Sequence, residues 1–174
     1  MHVNKLRTTR KQNKGFTLIE LLIVVAVIGI LTALVFPNLQ GMRQRARDVK
    51  RKAHLSNISK ALKMYNNNLG RYPASNSNNI VGCTDRVAPI ECAWGEEFSD
   101  GTSTYISKLP LDPSSTSSSP KVYNYHQTSS DDFVIVAELE IHSDSDAEDS
   151  QEKCDTAYND YQGPKTDYDY VVCE

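Results

Sequence analysis

The 174-residue sequence predicts an α+β protein: a long N-terminal α-helix, membrane-spanning in its first half, packed over its C-terminal half against a small antiparallel β-sheet head. Three observations carry that expectation. Residues 16–36 are apolar apart from Thr17, Glu20, Gly29 and Thr32. Apolar residues then recur at steps of three and four as far as Leu69. Beyond Pro73 the chain breaks into short aromatic and β-branched runs between turn formers, and all four cysteines fall there.

The net charge of −3 conceals a segregated chain. Residues 1–15 hold five cations (Lys5, Arg7, Arg10, Lys11, Lys14) and no acid, and residues 37–72 hold nine Lys or Arg against Asp48. From Pro73 onward five basic residues stand against twenty acidic ones. This divides the chain into a basic leader (1–15), a transmembrane helix (16–36), an amphipathic helical stalk (37–70) and a globular head (71–174). A helix of about 21 residues spans roughly 30 Å of hydrocarbon. A secretory signal peptide would have an apolar core of only ~7–15 residues and a small-residue cleavage site. Here the run continues through Phe36 and Pro37 into an Arg-rich helix.

Orientation is tied on charge, because five Lys or Arg lie within fifteen residues of each end of the apolar run. The cysteines break the tie. Cys83, Cys92, Cys154 and Cys173 form an even set in a loop-rich domain, which points to an oxidising compartment and places the head outside the cytoplasm. Four cysteines allow three pairings; the local one, Cys83–Cys92 with Cys154–Cys173, is favoured over a zinc site because no C-x-x-C pair occurs.

After Pro37 the apolar positions are Leu39, Met42, Ala46, Val49 and Ala53, then Leu55, Ile58, Leu62, Tyr65 and Leu69, with one two-residue skip. They predict a long amphipathic helix that Gly70 caps and Pro73 prevents from resuming. If continuous from Phe16 it would be ~80 Å long. Pro37 is expected to kink it, with Gly29 and Gly41 as weak points on either side. In the head, residues 73–103 read as turn-rich, LPLDP (109–113) as a rigid turn and SSTSSSP (114–120) as a flexible loop open to glycosylation. KVYNY (121–125), FVIVAEL (133–139) and DYVVC (169–173) read as strands, the second as the central one.

Catalysis is not expected. His2, His54, His126 and His142 show no ligand spacing, His54 reads as solvated on a polar helix face, and no G-x-S-x-G, P-loop or dinucleotide pattern occurs. The Arg43–Lys52 patch could meet phosphates but has no aromatic interleaving, so nucleic acid is not an expected partner. Residues 144–155 place oxygen side chains at calcium-loop spacing (Asp144, Asp146, Glu148, Asp155). They lack the required glycine, however, and read as a solvated acidic loop.

A carboxylate at membrane depth costs ~2.5–3.5 kcal/mol on insertion scales, so Glu20 needs a reason. The run K14-G-F-T-L-I-E20, behind a basic leader and ahead of about twenty apolar residues, resembles the processing site of type IV prepilins and of type II secretion pseudopilins. The resemblance implies a type IV pilin-like fold, cleavage between Gly15 and Phe16, N-methylation of Phe16 and an assembly role for Glu20. It implies as partners further copies of the chain, minor pilins, a prepilin peptidase and an inner-membrane assembly platform. It implies placement in the cytoplasmic membrane, then in a pilus or at the cell surface. No cofactor is expected, with calcium as a weak alternative. Removing the leader would take the net charge from −3 to −8. Glu20 could then pair with the free amine of a neighbouring subunit only in the correct register, and basic stalks could face the acidic heads of other copies. Leu109-Pro110-Leu111-Asp112-Pro113 is similar to a turn of major pseudopilins that leads there into Trp-Gly and a calcium-binding loop. SSTSSSP replaces that continuation, leaving Asp112 as a weak metal candidate. A non-polymerising membrane-anchored binding domain is the rival reading.

Overall fold

A computed structural model describes residues 15–174, apart from the side chains of residues 34–39. The chain divides into two compact units, one ending at Gly41 and the other running Met42–Glu174. One helix, α1 (Leu18–Leu69), contributes to both.

In the first unit the apolar side chains of α1 are exposed all round, from Leu18 at 82 % to Leu31 at 57 %. Among the described residues no helix is long and apolar enough to cross a membrane. The expected span of 16–36 ends among side chains outside the described residues, and so does Pro37, although the backbone is helical there. The leader cations lie outside the described residues as well.

In the second unit α1 shows why its pattern contains a skip. At about 100° per residue, the step from Ala53 to Leu55 turns ~200°, so the apolar series before and after it lie on opposite faces. Leu55, Ile58, Leu62 and Tyr65 are buried against the head, whereas Met42, Ala46, Val49 and Ala53 are exposed. The single apolar stripe expected from the sequence is therefore two stripes. Going up the helix, the head-facing side continues as Arg51 and Asp48, both buried. Gly70 ends α1 at φ 67° and donates its N–H to the carbonyl of Asn66 at 2.7 Å, the left-handed cap expected there.

Residues 73–103 hold more order than their turn-rich composition predicts. β1 (Ala74–Asn76), β2 (Asn79–Cys83) and β3 (Ile90–Glu91) form an antiparallel sheet, and β4 (Phe98–Ser99) pairs with β5 (Thr104–Ile106). Ser77 and Asn78, both at positive φ, make the two-residue turn between β1 and β2. The main sheet has β7 (Asp132–Glu138) between β6 (Asn124–Ser129) and β8 (Asp169–Cys173). β6 starts three residues later than the expected 121–125, while 132–138 and 169–173 match the other two expected strands closely. β7 is buried on both faces: Phe133, Ile135 and Ala137 join the α1 core, and Val134 and Val136 pack with Ala157, Tyr158, Tyr161 and Val171. That is why its apolar run is unbroken.

The acidic stretch expected as a solvated loop is helical, as α2 (Ser145–Lys153) and α3 (Asp155–Asp160). Asp144 caps α2 by accepting the N–H of Asp146, and Asp146 and Glu148 in its first turn with Lys153 in its last suit the helix dipole. Ser150 and Gln151 of α2 also close the outer edge of β8: the Ser150 hydroxyl accepts the Val171 N–H at 3.0 Å and the Gln151 amide donates to the Asp169 carbonyl at 2.8 Å. Disulfides join Cys83 to Cys92 and Cys154 to Cys173, the second tying the α2–α3 junction to β8.

Candidate functional site

Two places on α1 bring charge and apolar surface together. At its start, Gly15 and Phe16 are non-helical and Phe16 is 85 % exposed. Glu20 Oε2 accepts the Thr17 N–H at 2.8 Å and the Thr17 hydroxyl at 2.7 Å, while Thr17 Oγ1 accepts the Glu20 N–H at 3.3 Å. This is a reciprocal capping box, and it satisfies helix-start donors that would otherwise have no acceptor. Glu20 itself is exposed, on a helix start whose other side chains are apolar.

The second place lies where α1 meets the head. Asp48, 1 % exposed, accepts the Arg51 Nη1 donor at 2.5 Å and the backbone N–H groups of Glu140 and Ile141 at 2.9–3.1 Å. Arg51 also donates to both Asp112 oxygens at 2.6 and 3.0 Å, and pairs with Glu140 at 2.8 Å. Arg47 forks onto Glu140 from the next turn, and Lys52 bridges Asp144 and Asp146 at 2.6 and 2.7 Å. The Arg47 hydrogen bond holds the Glu140 carboxyl down at about 2, with Arg51 adding to it against burial. Burial pushes Asp112 up, but the hydrogen bonds from Arg51 and Ser114 outweigh it and keep its carboxyl below the ordinary range. The LPLDP turn thus exists here as the arm that presents Asp112 to α1, with Leu109 buried beneath it. The stalk's cations are in part neutralised by the chain's own head.

The histidines stay apart. His54, expected to be solvated, is half-buried with Nδ1 at 2.8 Å from the Tyr123 hydroxyl, and burial lowers its pKa. His142 stacks on Tyr168 at 3.8 Å between ring centres. His126 lies near Ser75, and His2 falls outside the described residues. The weak metal candidates do not converge either. Asp112 is engaged by Arg51 and Ser114, Asp144 and Asp146 by Lys52, and Asp155 by Asn159, while Glu148 sits in the first turn of α2. A dication at Asp112 would have to displace a buried guanidinium, so these residues do not fit calcium. Among the described residues no group of three or more His, Cys, Asp or Glu is placed to hold a metal ion.

Sequence reasoning missed Thr17, although T-x-x-E ahead of an apolar run is a capping signature. It also missed the partners of Asp48 and Arg51, which lie 61 to 93 residues away along the chain.

An exposed apolar helix start carrying a capped glutamate, joined in sequence to a small disulfide-tied α+β head, is the layout of a pilin-like subunit. Residues 10–36 match the prokaryotic N-terminal methylation motif. The chain is 35 % identical over 104 residues to the type II secretion system core protein G of Klebsiella michiganensis, covering 60 % of this chain and 70 % of that protein. It is 34 % identical over 110 residues to core protein G of Escherichia coli, covering 62 % and 70 %. To the type IV wide pilus major component PilA4 of Thermus thermophilus it is 54 % identical over 52 residues, 30 % of this chain and 40 % of that one. No solved structure matches the chain. The chain belongs to the family of type IV pilins and type II secretion pseudopilins. Its relatives are structural components, and it is not an enzyme.

Proposed function

We propose that the chain is a filament subunit, cut between Gly15 and Phe16, methylated at Phe16, and assembled through the helix that starts there. The observation that carries this is Glu20: a carboxylate in the first turn of an exposed apolar helix, inside the segment that matches the methylation motif. Among the described residues its hydrogen bonds are to Thr17 alone. Cleavage would set a free ammonium one residue before Thr17, and the Glu20 of one subunit can meet the ammonium of the next only in one axial register. Such a buried pair fixes register more than it adds net stability, while apolar packing supplies the attraction.

In this reading residues 16–36 span the cytoplasmic membrane before assembly, residues 37–70 form the stalk, and residues 71–174 form the head outside the cytoplasm. The peptidase, the assembly platform and minor pilins are partners, and the subunit passes into a pilus or pseudopilus. N-terminal sequencing of purified protein tests the first step: it should begin at Phe16, whereas a plain membrane anchor would begin at Met1. Glu20→Ala should be cut and inserted normally yet enter fibres poorly; normal fibres from that variant would overturn the register role.

A second reading is specific to secretion: the subunit drives protein export as a major pseudopilin. The core protein G matches favour it, because they cover twice the share of the chain that the PilA4 match does. Deleting the gene separates the two, since a pseudopilin's loss blocks export whereas a pilin's loss removes long surface fibres.

A further inference from the structure

The stripe on α1 that faces away from the head has no partner among the described residues. Met42 is 66 % and Val49 62 % exposed, and Ala46 and Ala53 are exposed between and beyond them. These four fall within ~60° of one another around the helix, nearly opposite the buried Leu55, Ile58 and Leu62. The flanking charges repeat the division. Arg47, Arg51 and Lys52, on the head side, all pair with head acids. Arg43, Arg45 and Lys50, which border the outward stripe, are exposed and make no ion pair among the described residues.

The head carries the complement. Asp149, Glu152, Asp155 and Asp160 on α2 and α3 are exposed and make no ion pair among the described residues. An apolar ridge edged by cations and a surface of acids, neither set ion-paired among the described residues, therefore occur in one molecule.

We infer that the outward face of α1 over residues 42–53 is a docking surface for a second copy of this chain, whose α2–α3 face supplies the acids. The inference rests on the filament reading and names a contact that the helix start does not make. The two surfaces belong to one chain but are different patches, so the contact is head-to-tail and can repeat without closing. A layer of anionic lipid headgroups offers the same charge but fits less well. The stripe rises ~16 Å along the helix, while a headgroup layer is only about 5–8 Å deep.

Val49→Cys in the full chain tests the inference. All four native cysteines are in disulfides, so a maleimide reads position 49 alone. Burial in an interface excludes water, so labelling should be about tenfold or more slower in sheared fibres than in detergent-dispersed subunits. Equal rates in the two would overturn the inference. So would the same protection in membranes of cells that cannot assemble fibres, which would assign the stripe to lipid. Reversing Arg43, Arg45 and Lys50 to Glu should remove fibres, and adding Asp149→Lys, Glu152→Lys and Asp155→Lys in the same chain should restore them; loss without restoration would reject the α2–α3 face. If native chain released at Phe16 forms no fibres at all, it is the filament reading that fails, and the labelling comparison never arises.

Discussion

Two carboxylates stand on α1, Glu20 and Asp48, and their surroundings differ in kind. Asp48 is closed in by its own chain, with a guanidinium and two backbone N–H groups aimed at it. Among the described residues Glu20 has only the hydroxyl and N–H of Thr17, three residues away, and it is exposed. A charge set among apolar groups has to be compensated. For Asp48 the compensation comes from folding. For Glu20 the described residues supply a local cap, and under the proposed function the remainder comes from a neighbouring subunit. The same residue chemistry on one helix thus does intramolecular work at one end and, under the proposed function, meets a second subunit at the other.

The sharpest way to break that comparison is to remove the cation from the closed site. Arg51→Met would leave Asp48 and Asp112 buried without their counter-charge, and stranding one side of a buried pair costs about 3–5 kcal/mol. The melting temperature of the purified full chain should fall by roughly 10–20 °C, while Glu20→Gln should leave the melt unchanged and affect only assembly. A melt that Arg51→Met does not move would show that the closed site contributes nothing to folding. One that Glu20→Gln lowers would erase the distinction between the two carboxylates.

Acid sharpens it further. Glu140 titrates at about 2 in the folded protein, below its ordinary value of 4.5. The unfolded chain therefore binds more protons between those values, and stability is lost as pH falls through that window. The head's melting temperature should drop steeply from pH 4.5 toward 2. Glu140→Gln should start about 1.5–3 kcal/mol less stable at neutral pH, because it gives up charge-assisted hydrogen bonds, and then fall less steeply. Melts at four or five pH values check both, and an unchanged slope in the variant would place the acid sensitivity elsewhere.

How much of this the sequence disclosed depended on the range of the interactions. The helix start was legible because Gly15, Phe16 and Glu20 are neighbours. β7 was legible because a strand covered on both faces must be apolar at every position. The two-residue skip at Ala53–Leu55 was visible but went unread, although a turn of ~200° already implies two faces. α2 and α3 were missed for a different reason. Their buried positions are Ala147, Ser150, Cys154, Ala157 and Tyr158, and all but Tyr158 have side chains too small or polar to mark an apolar stripe. The Asp48–Arg51 site could not be completed from sequence at all. Its partners reach it from the LPLDP turn and the end of β7, and only tertiary structure brings them there.

α2 offers a smaller test on the closed side of the comparison. Ser150→Ala would leave the outward N–H of Val171 without an acceptor at the edge of β8. An unsatisfied buried donor costs about 1–3 kcal/mol, so a lowered melt with intact disulfides is expected. No change would mean that water reaches the β8 edge and that α2 does not seal it.

The smallest effect is expected at the open end. Thr17→Val keeps the shape of the side chain but removes the hydroxyl from the capping box, leaving the Glu20 N–H without its acceptor and Glu20 with one donor fewer. Loss of an N-cap costs about 0.5–2 kcal/mol, confined to the helix's first turn. The head's melt should therefore stay where it is, and hydrogen exchange should quicken only at the first few amides of α1. The direction of any effect on assembly is informative. If Thr17 merely holds the first turn together, fibres should form less readily in the variant. If it competes with the neighbouring ammonium for Glu20, freeing the carboxylate should make them form more readily. The second result would mean that the cap keeps the assembly carboxylate occupied in the unassembled subunit, a restraint that Asp48, already saturated by its own chain, has no use for.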